Sequence, residues 1–260
     1  MSLIPGEDPL AELKKRVEAI VVSLYSQLHP RRERFFTVRL GSSWVLRWRG
    51  RSFLLPKEEG SPGILRRFTL NIALPGSRWR KETPCWMWGL GWGVFSVPAA
   101  FSAGRVVAVE PHPLNLLYLR RNVEGLENVE VVEEALWRRK GRMKLFFGSS
   151  RAHSLIVGKG AHLAEAKSWV WVRTETLDGL VSRLGLRRVD FLKMDVEGAE
   201  VEILRRGKRT LGITRKIAVA AYHSWRGEQT WPRVREMLEG AGFSTEVTEK
   251  GIVRGWREDA

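Results

Sequence analysis

Asp195 follows a short apolar run, Val189 to Met194, and precedes Glu197, Ala199, Glu200, Val201, Ile203 and Leu204 at helical spacing. An apolar run of that length reads as a strand buried on both faces of a parallel sheet. Acids at the front of the following helix suit its dipole. Asp195 is therefore expected at the carboxyl end of a strand, the edge where open α/β sheets bind ligands. Two roles stay open there: a carboxylate facing a ligand, or a cap on the helix. A second constellation is Gly89-x-Gly91-x-Gly93, with Glu110 at the end of the apolar run Arg105–Val109. Closely spaced glycines let backbone N–H groups approach a ligand, and an acid about 20 residues further on suits ribose hydroxyls. A third is Tyr222–His223, at the end of the apolar stretch 215–225. A histidine there titrates near neutral pH and is a candidate general base; a hydrogen bond to a neighbouring loop is the structural alternative. No metal-ligand spacing, phosphate-binding P-loop or Ser/His/Asp constellation stands out, so no metal is expected from the sequence.

These residues need a frame. The 260 residues suffice for one large α/β domain with an added N-terminal segment. Residues 8–28 carry Leu10, Leu13, Val17, Ile20, Val21, Leu24 and Leu28 at helical spacing and read as an amphipathic helix. Residues 35–55 read as short strands, with Arg47, Arg49 and Arg51 on one strand face beside Trp44 and Trp48 if the strand is continuous. A solvated edge strand is the favoured reading of that stripe, and phosphate and base contact the other. A break near residue 82 divides a helical and β-rich segment, 1–82, from a domain over 83–260. Within the latter, 114–126 reads as a helix with Leu116, Leu117 and Leu119 facing inward. Residues 128–136 read as a strand ending at Glu133 and Glu134, 137–149 as a hairpin turning at Lys140–Gly141, and 169–181 as a strand and a helix capped by Thr176 or Asp178. The chain should close with a helix over 231–238 and an antiparallel hairpin. This order predicts a doubly wound, mostly parallel sheet with one reversed strand.

Composition narrows the function classes. A net charge of +15 favours anionic partners such as nucleic acid or acidic glycan. The single cysteine, Cys85, excludes an internal disulfide and a cysteine zinc site, so a reducing, cytoplasmic setting is expected. Scarce Asn and Gln with abundant Arg point to a thermophilic source. Thr83 to Gly104 has no charge and spans nearly the length of a membrane helix, but Pro84, Gly89, Gly91, Gly93 and Pro98 favour a strand–loop–helix passage.

The run VDFLKMDVEGAEVEIL, 189–204, resembles the signature of the FkbM family of S-adenosylmethionine (SAM)-dependent methyltransferases, and VVAVEPHP, 106–113, is close to the family's second motif. The resemblance covers roughly residues 45–247. It implies a class I, Rossmann-like fold with a seven-stranded sheet, SAM as cofactor, and methyl transfer to a hydroxyl oxygen of a glycan or natural product, to which the positive charge adds RNA as an acceptor. By the same resemblance Gly89, Gly91, Gly93, Glu110 and Pro111 bind the cofactor, Glu133 or Glu134 meets the adenine amino group, and Asp195 lies near the methyl group. His223 is the candidate base, and a piece like 149–157 crosses near the active site, making His153 a lesser candidate. Two positions depart from the family pattern. Met87 stands where an acid usually holds the amino end of the cofactor's methionine, and Gly91 replaces the usual Asn. Met87 therefore keeps a second reading in play, a nucleic-acid-binding protein that retains the fold without the reaction.

Overall fold

The computed structural model describes residues 36–40, 43–48, 51–55, 84–88, 93, 95–101, 103–147, 153–156, 168–225 and 227–257. The helix expected over 8–28, the segment 57–81, and Gly89 and Gly91 lie outside them. The chain divides into two units, Met1–Asn71 and Ile72–Ala260. In the first, β1 (Phe36–Leu40), β2 (Ser43–Trp48) and β3 (Arg51–Leu55) form an antiparallel sheet in the order β1-β2-β3. The stripe Arg47, Arg49, Arg51 does not lie on one strand: β2 ends at Trp48, and Arg51 opens β3 opposite it.

In the second unit β4 (Pro84–Trp88), α1 (Ser96–Ala100), β5 (Arg105–Val109), α2 (Pro113–Asn122) and β6 (Val129–Val132) come first. There follow β7 (Ala135–Leu136), β8 (Gly141–Phe147), β9 (His153–Ser154), β10 (Ser168–Glu175) and α3 (Leu177–Arg183). Then come β11 (Val189–Met194), α4 (Glu200–Leu204), α5 (Lys208–Gly212) and β12 (Thr214–Ala220). The chain closes with β13 (Ser224–Trp225), β14 (Glu228–Gln229), α6 (Trp231–Gly240), β15 (Ser244–Val247) and β16 (Ile252–Trp256). Strands and helices alternate, and the fold class is α/β. Among the described residues no helix is long and apolar enough to cross a membrane; Thr83–Gly104 contributes a strand and a five-residue helix.

One sheet has the order β15-β16-β12-β11-β4-β5-β6. The neighbours from β6 to β12 are parallel, while β16 runs antiparallel to β12 and pairs with β15 as the expected closing hairpin. The chain moves outward from β4 through β5 to β6, then returns to lay β11 on the other side of β4. The order therefore reverses between β4 and β11, whose carboxyl ends open a crevice. The inner strands read as continuous apolar runs because both faces are covered. Val106 and Val107 of β5 and Leu192 and Met194 of β11 are fully buried, each side chain contributing about 1.5–3 kcal/mol. β11 also buries Asp190, which is matched by Arg188 and Arg215, and Lys193, which is matched by Asp195.

Three local expectations change. The stretch 128–136 breaks at Glu133–Glu134 into β6 and β7, which belong to different sheets. The hairpin expected over 137–149 does not form, because β8 pairs with β10 instead, Leu145 opposite Val170, in a sheet ordered β7-β10-β8-β9. A partner so far along the chain leaves no signal in the local pattern. On α2, Leu116 and Leu119 face inward but Leu117 is 65% exposed, since a residue one step from Leu116 points about 100° away. Thr176 caps α3 through Gly179 N–H at 3.0 Å, while Asp178 accepts from the Arg209 and Thr210 N–H groups at the start of α5.

Candidate active site at the carboxyl edge of the sheet

β11 delivers Asp195 to the crevice. The helix-cap alternative fails, because α4 begins at Glu200 with Ala199 before it and no side-chain cap. The intervening turn holds Glu197 at φ 52° and Gly198 at φ 100°. A left-handed glutamate is uncommon, and such residues concentrate at functional sites. Ser154 in β9 donates to the Glu197 carbonyl at 2.7 Å and helps to hold the turn.

That turn gathers three carboxylates around His223, which is completely buried. Its Nδ1 lies 2.8 Å from Glu200 Oε1, and its Nε2 lies 3.2 Å from Glu197 Oε2 and 3.8 Å from Asp195 Oδ1. Glu200 is itself fully enclosed, accepting from Gly198 N–H at 3.0 Å and from Thr230 Oγ1 at 3.2 Å. Lys193 Nζ stands 3.5 Å from Asp195 Oδ2. Burial pulls the His223 pKa down, but the hydrogen bonds to Glu197 and Glu200 outweigh it and lift the value to about 10. Burial raises Asp195, with Lys193 opposing, and lowers Lys193, with Asp195 opposing. The cluster is thus an enclosed, electronegative pocket built to hold positive charge.

The second motif lies along the same edge. Glu110, at the end of β5, is buried, and its Oε1 accepts from His112 N–H at 2.8 Å. His112 caps α2 through its Nδ1, with Pro113 in the first turn. Its ring stacks on His153 with centroids 3.8 Å apart and planes inclined by 7°. Burial and then the His153 charge lower the His112 pKa to about 4, and burial, opposed by Glu197, lowers His153. The stacked pair and Glu197 therefore feel one another, which links the Glu110–Pro111 turn to the carboxylate pocket. Gly93 has φ 86°, a left-handed backbone that favours glycine, and it packs close to Leu119 of α2. Its carbonyl accepts from Val97 N–H at the start of α1.

Glu133 and Glu134 stand elsewhere in electrostatic terms. Glu133 is exposed and pairs with Arg120 at 2.6 Å, while Glu134 makes a two-bonded pair with Arg183 at 2.5 and 2.9 Å. Met87 lies in β4 opposite Lys193 and Ala108. Sequence reasoning did not single out Glu197, Glu200, Lys193, Ser154 or Thr230. The available signal was the spacing Asp195-x-Glu197-x-x-Glu200, which a turn with two left-handed residues, Glu197 and Gly198, folds onto a single point.

A 2-O-methyltransferase, NoeI, of Sinorhizobium fredii is 32% identical over 123 residues, 42% of this chain and 49% of that protein. The chain thus spans about half the length of the curated relative it matches. Among solved structures, an FkbM methyltransferase from Methylobacillus flagellatus aligns at 15% identity and TM-score 0.48, over 74% of this chain and 48% of that one. A fibrillarin pre-rRNA processing protein from Methanococcus jannaschii aligns at 14% identity and TM-score 0.44, over 88% of this chain and all of that one. The model of the methyltransferase FkbM domain matches residues 90–245, more than half of the chain, and the chain belongs to that family.

Proposed function

We propose that the chain is a SAM-dependent methyltransferase of class I architecture, doubly wound around a seven-stranded sheet, which methylates a hydroxyl oxygen. Its catalytic domain is the region 83–260. The observation that carries this reading is the order reversal between β4 and β11, which sets Asp195 beside the crevice in a chain of the FkbM family. The residues present fit the cofactor. Glu110 is a buried carboxylate at the end of β5, suited to ribose hydroxyls, and Gly93 takes the left-handed backbone that the turn after β4 needs. By the family resemblance Gly89, Gly91 and Pro111 would also meet the cofactor, and Glu133 or Glu134 its adenine amino group. SAM supplies a methyl group already activated by its sulfonium.

What remains for the protein is to align the acceptor and remove one proton. Asp195 orients the hydroxyl and takes its proton. His223 is the less suitable base: it is wholly enclosed and already protonated at neutral pH by its neighbours, so it acts by positioning Asp195 and Glu197. An acceptor carried on a polyanion, RNA or an acidic glycan, suits the excess of positive charge. The outer face of β8 and β10 supports this: Trp169 and Trp171 are 42% and 49% exposed, with Lys144 4.0 Å from the Trp169 ring and Arg142 5.7 Å from the Trp171 ring. The same face is what a non-catalytic nucleic-acid binder would present. Transfer of labelled methyl from SAM to RNA or acidic glycan separates the two readings. With Asp195→Ala we expect transfer to fall by about a hundredfold or more while circular dichroism stays native; wild-type-like turnover in that variant rules out the assignment.

A further inference from the structure

We infer that Asp195, Glu197 and His223 form a binding site for one divalent transition-metal ion, with Glu200 behind the histidine. Each of the three residues presents a ligand atom, and these atoms lie within 4.8 Å of one another. Two carboxylates and one imidazole make a mixed O,O,N set that suits Mn²⁺, Co²⁺ or Zn²⁺. With metal–ligand bonds of about 2.0–2.2 Å, neighbouring ligand atoms around one ion stand roughly 3.0–3.5 Å apart. The separation from His223 Nε2 to Glu197 Oε2 is 3.2 Å, inside that range, and the 3.8 Å to Asp195 Oδ1 closes with a small rotation of the carboxylate.

The surroundings are those of a built site. Glu200 fixes the imidazole through Nδ1 and so directs Nε2 toward the other two acids, the carboxylate–histidine arrangement that orients metal ligands. Glu200 is held in turn by Gly198 N–H and Thr230 Oγ1. Lys193 engages Oδ2 of Asp195 and leaves Oδ1 on the side of His223. The left-handed backbone of Glu197 brings its carboxylate to the same point. Binding of the ion displaces the proton that His223 Nε2 otherwise shares with its acidic neighbours. Three protein ligands also leave coordination positions open, as catalytic sites do.

The role of the ion rests on the methyltransferase reading: it would hold the acceptor oxygen and, as a Lewis acid, would lower the pKa of its hydroxyl, whose proton would then leave to water rather than to Asp195, now a ligand. Binding of the ion does not depend on that reading. The test uses the full chain, stripped with a chelator and dialysed. Mn²⁺ and Co²⁺ are each titrated by calorimetry, Co²⁺ also by its visible absorption, for the wild type, Glu197→Gln and His223→Gln, with thermal melts to establish folding. S-adenosylhomocysteine is titrated in parallel into the metal-free protein. We expect one ion per chain, a Co²⁺ spectrum with an imidazole contribution that His223→Gln removes, and affinity weakened at least about tenfold in folded Glu197→Gln. No binding by the wild type, or equal binding by both variants, overturns the metal site. If S-adenosylhomocysteine still binds in that case, the methyltransferase reading stands without it.

Discussion

Two strand ends in this molecule carry adjacent acids and treat them in opposite ways. After β6, Glu133 and Glu134 are each matched by an arginine, Arg120 and Arg183, the first pair open to solvent and the second through a mostly covered Glu134. After β11, Asp195, Glu197 and Glu200 converge on one enclosed histidine with a lysine as the remaining counter-charge. Arginine is plentiful in this chain, so excess acid at one edge is a selective feature rather than a consequence of composition. Solvent-exposed pairs contribute little, whereas enclosed charges in a medium of low dielectric act strongly on each other and on anything that enters. An acid at a strand end is thus ambiguous in a sequence; the surrounding cations and solvent decide its role.

The contrast can be broken first by Glu200→Ala. It leaves His223 Nδ1, Gly198 N–H and Thr230 Oγ1 without their shared acceptor inside the protein. We expect a loss of about 3–5 kcal/mol in urea unfolding at neutral pH. A loss below about 1 kcal/mol would place the cluster in the same class as the surface pairs.

A smaller effect concerns the histidines on the two sides of the edge. His112 is held neutral, with its pKa lowered from 6.5 to about 4, the reverse of His223. A depressed histidine leaves the unfolded chain binding the extra proton between these values. Stability should therefore be complete above pH 6.5, fall as pH drops toward 4, and level off below. His112→Gln should flatten that part of the profile of melting temperature against pH; an unchanged profile would contradict the neutral assignment.

The smallest effects belong to the other strand end. Glu133→Gln, in the exposed pair with Arg120, should change stability by no more than about 1 kcal/mol, and by less at high salt. A larger, salt-insensitive loss for Glu133→Gln would erase the contrast.

Much of the frame was legible because it rests on burial. Val189–Met194 and Arg105–Val109 lie in β11 and β5, covered on both faces, and such strands show as unbroken apolar runs that place Asp195 and Glu110 at one edge. The closing hairpin was legible from its glycines and short strands. The pairing of β8 with β10 was not, because their partners are distant in the chain. Leu117 misled because three leucines close together cannot all face inward on a helix. Glu200 opens the helix as an acid of its first turn, but Glu197, read the same way, lies in the turn before it, and nothing in a non-glycine residue announces a φ of 52°. His223 was correctly brought to the edge, but its depth and its three acidic neighbours depend on tertiary packing.

The measurement that bears most directly on the central claim is calorimetric titration of the full chain with S-adenosylhomocysteine, for the wild type and Glu110→Ala. The account predicts saturable binding by the wild type and about 10–100-fold weaker binding by a folded Glu110→Ala, the loss expected for hydrogen bonds between a carboxylate and ribose hydroxyls. Absence of binding by the wild type, or equal affinity in the variant, would contradict a cofactor site built on Glu110.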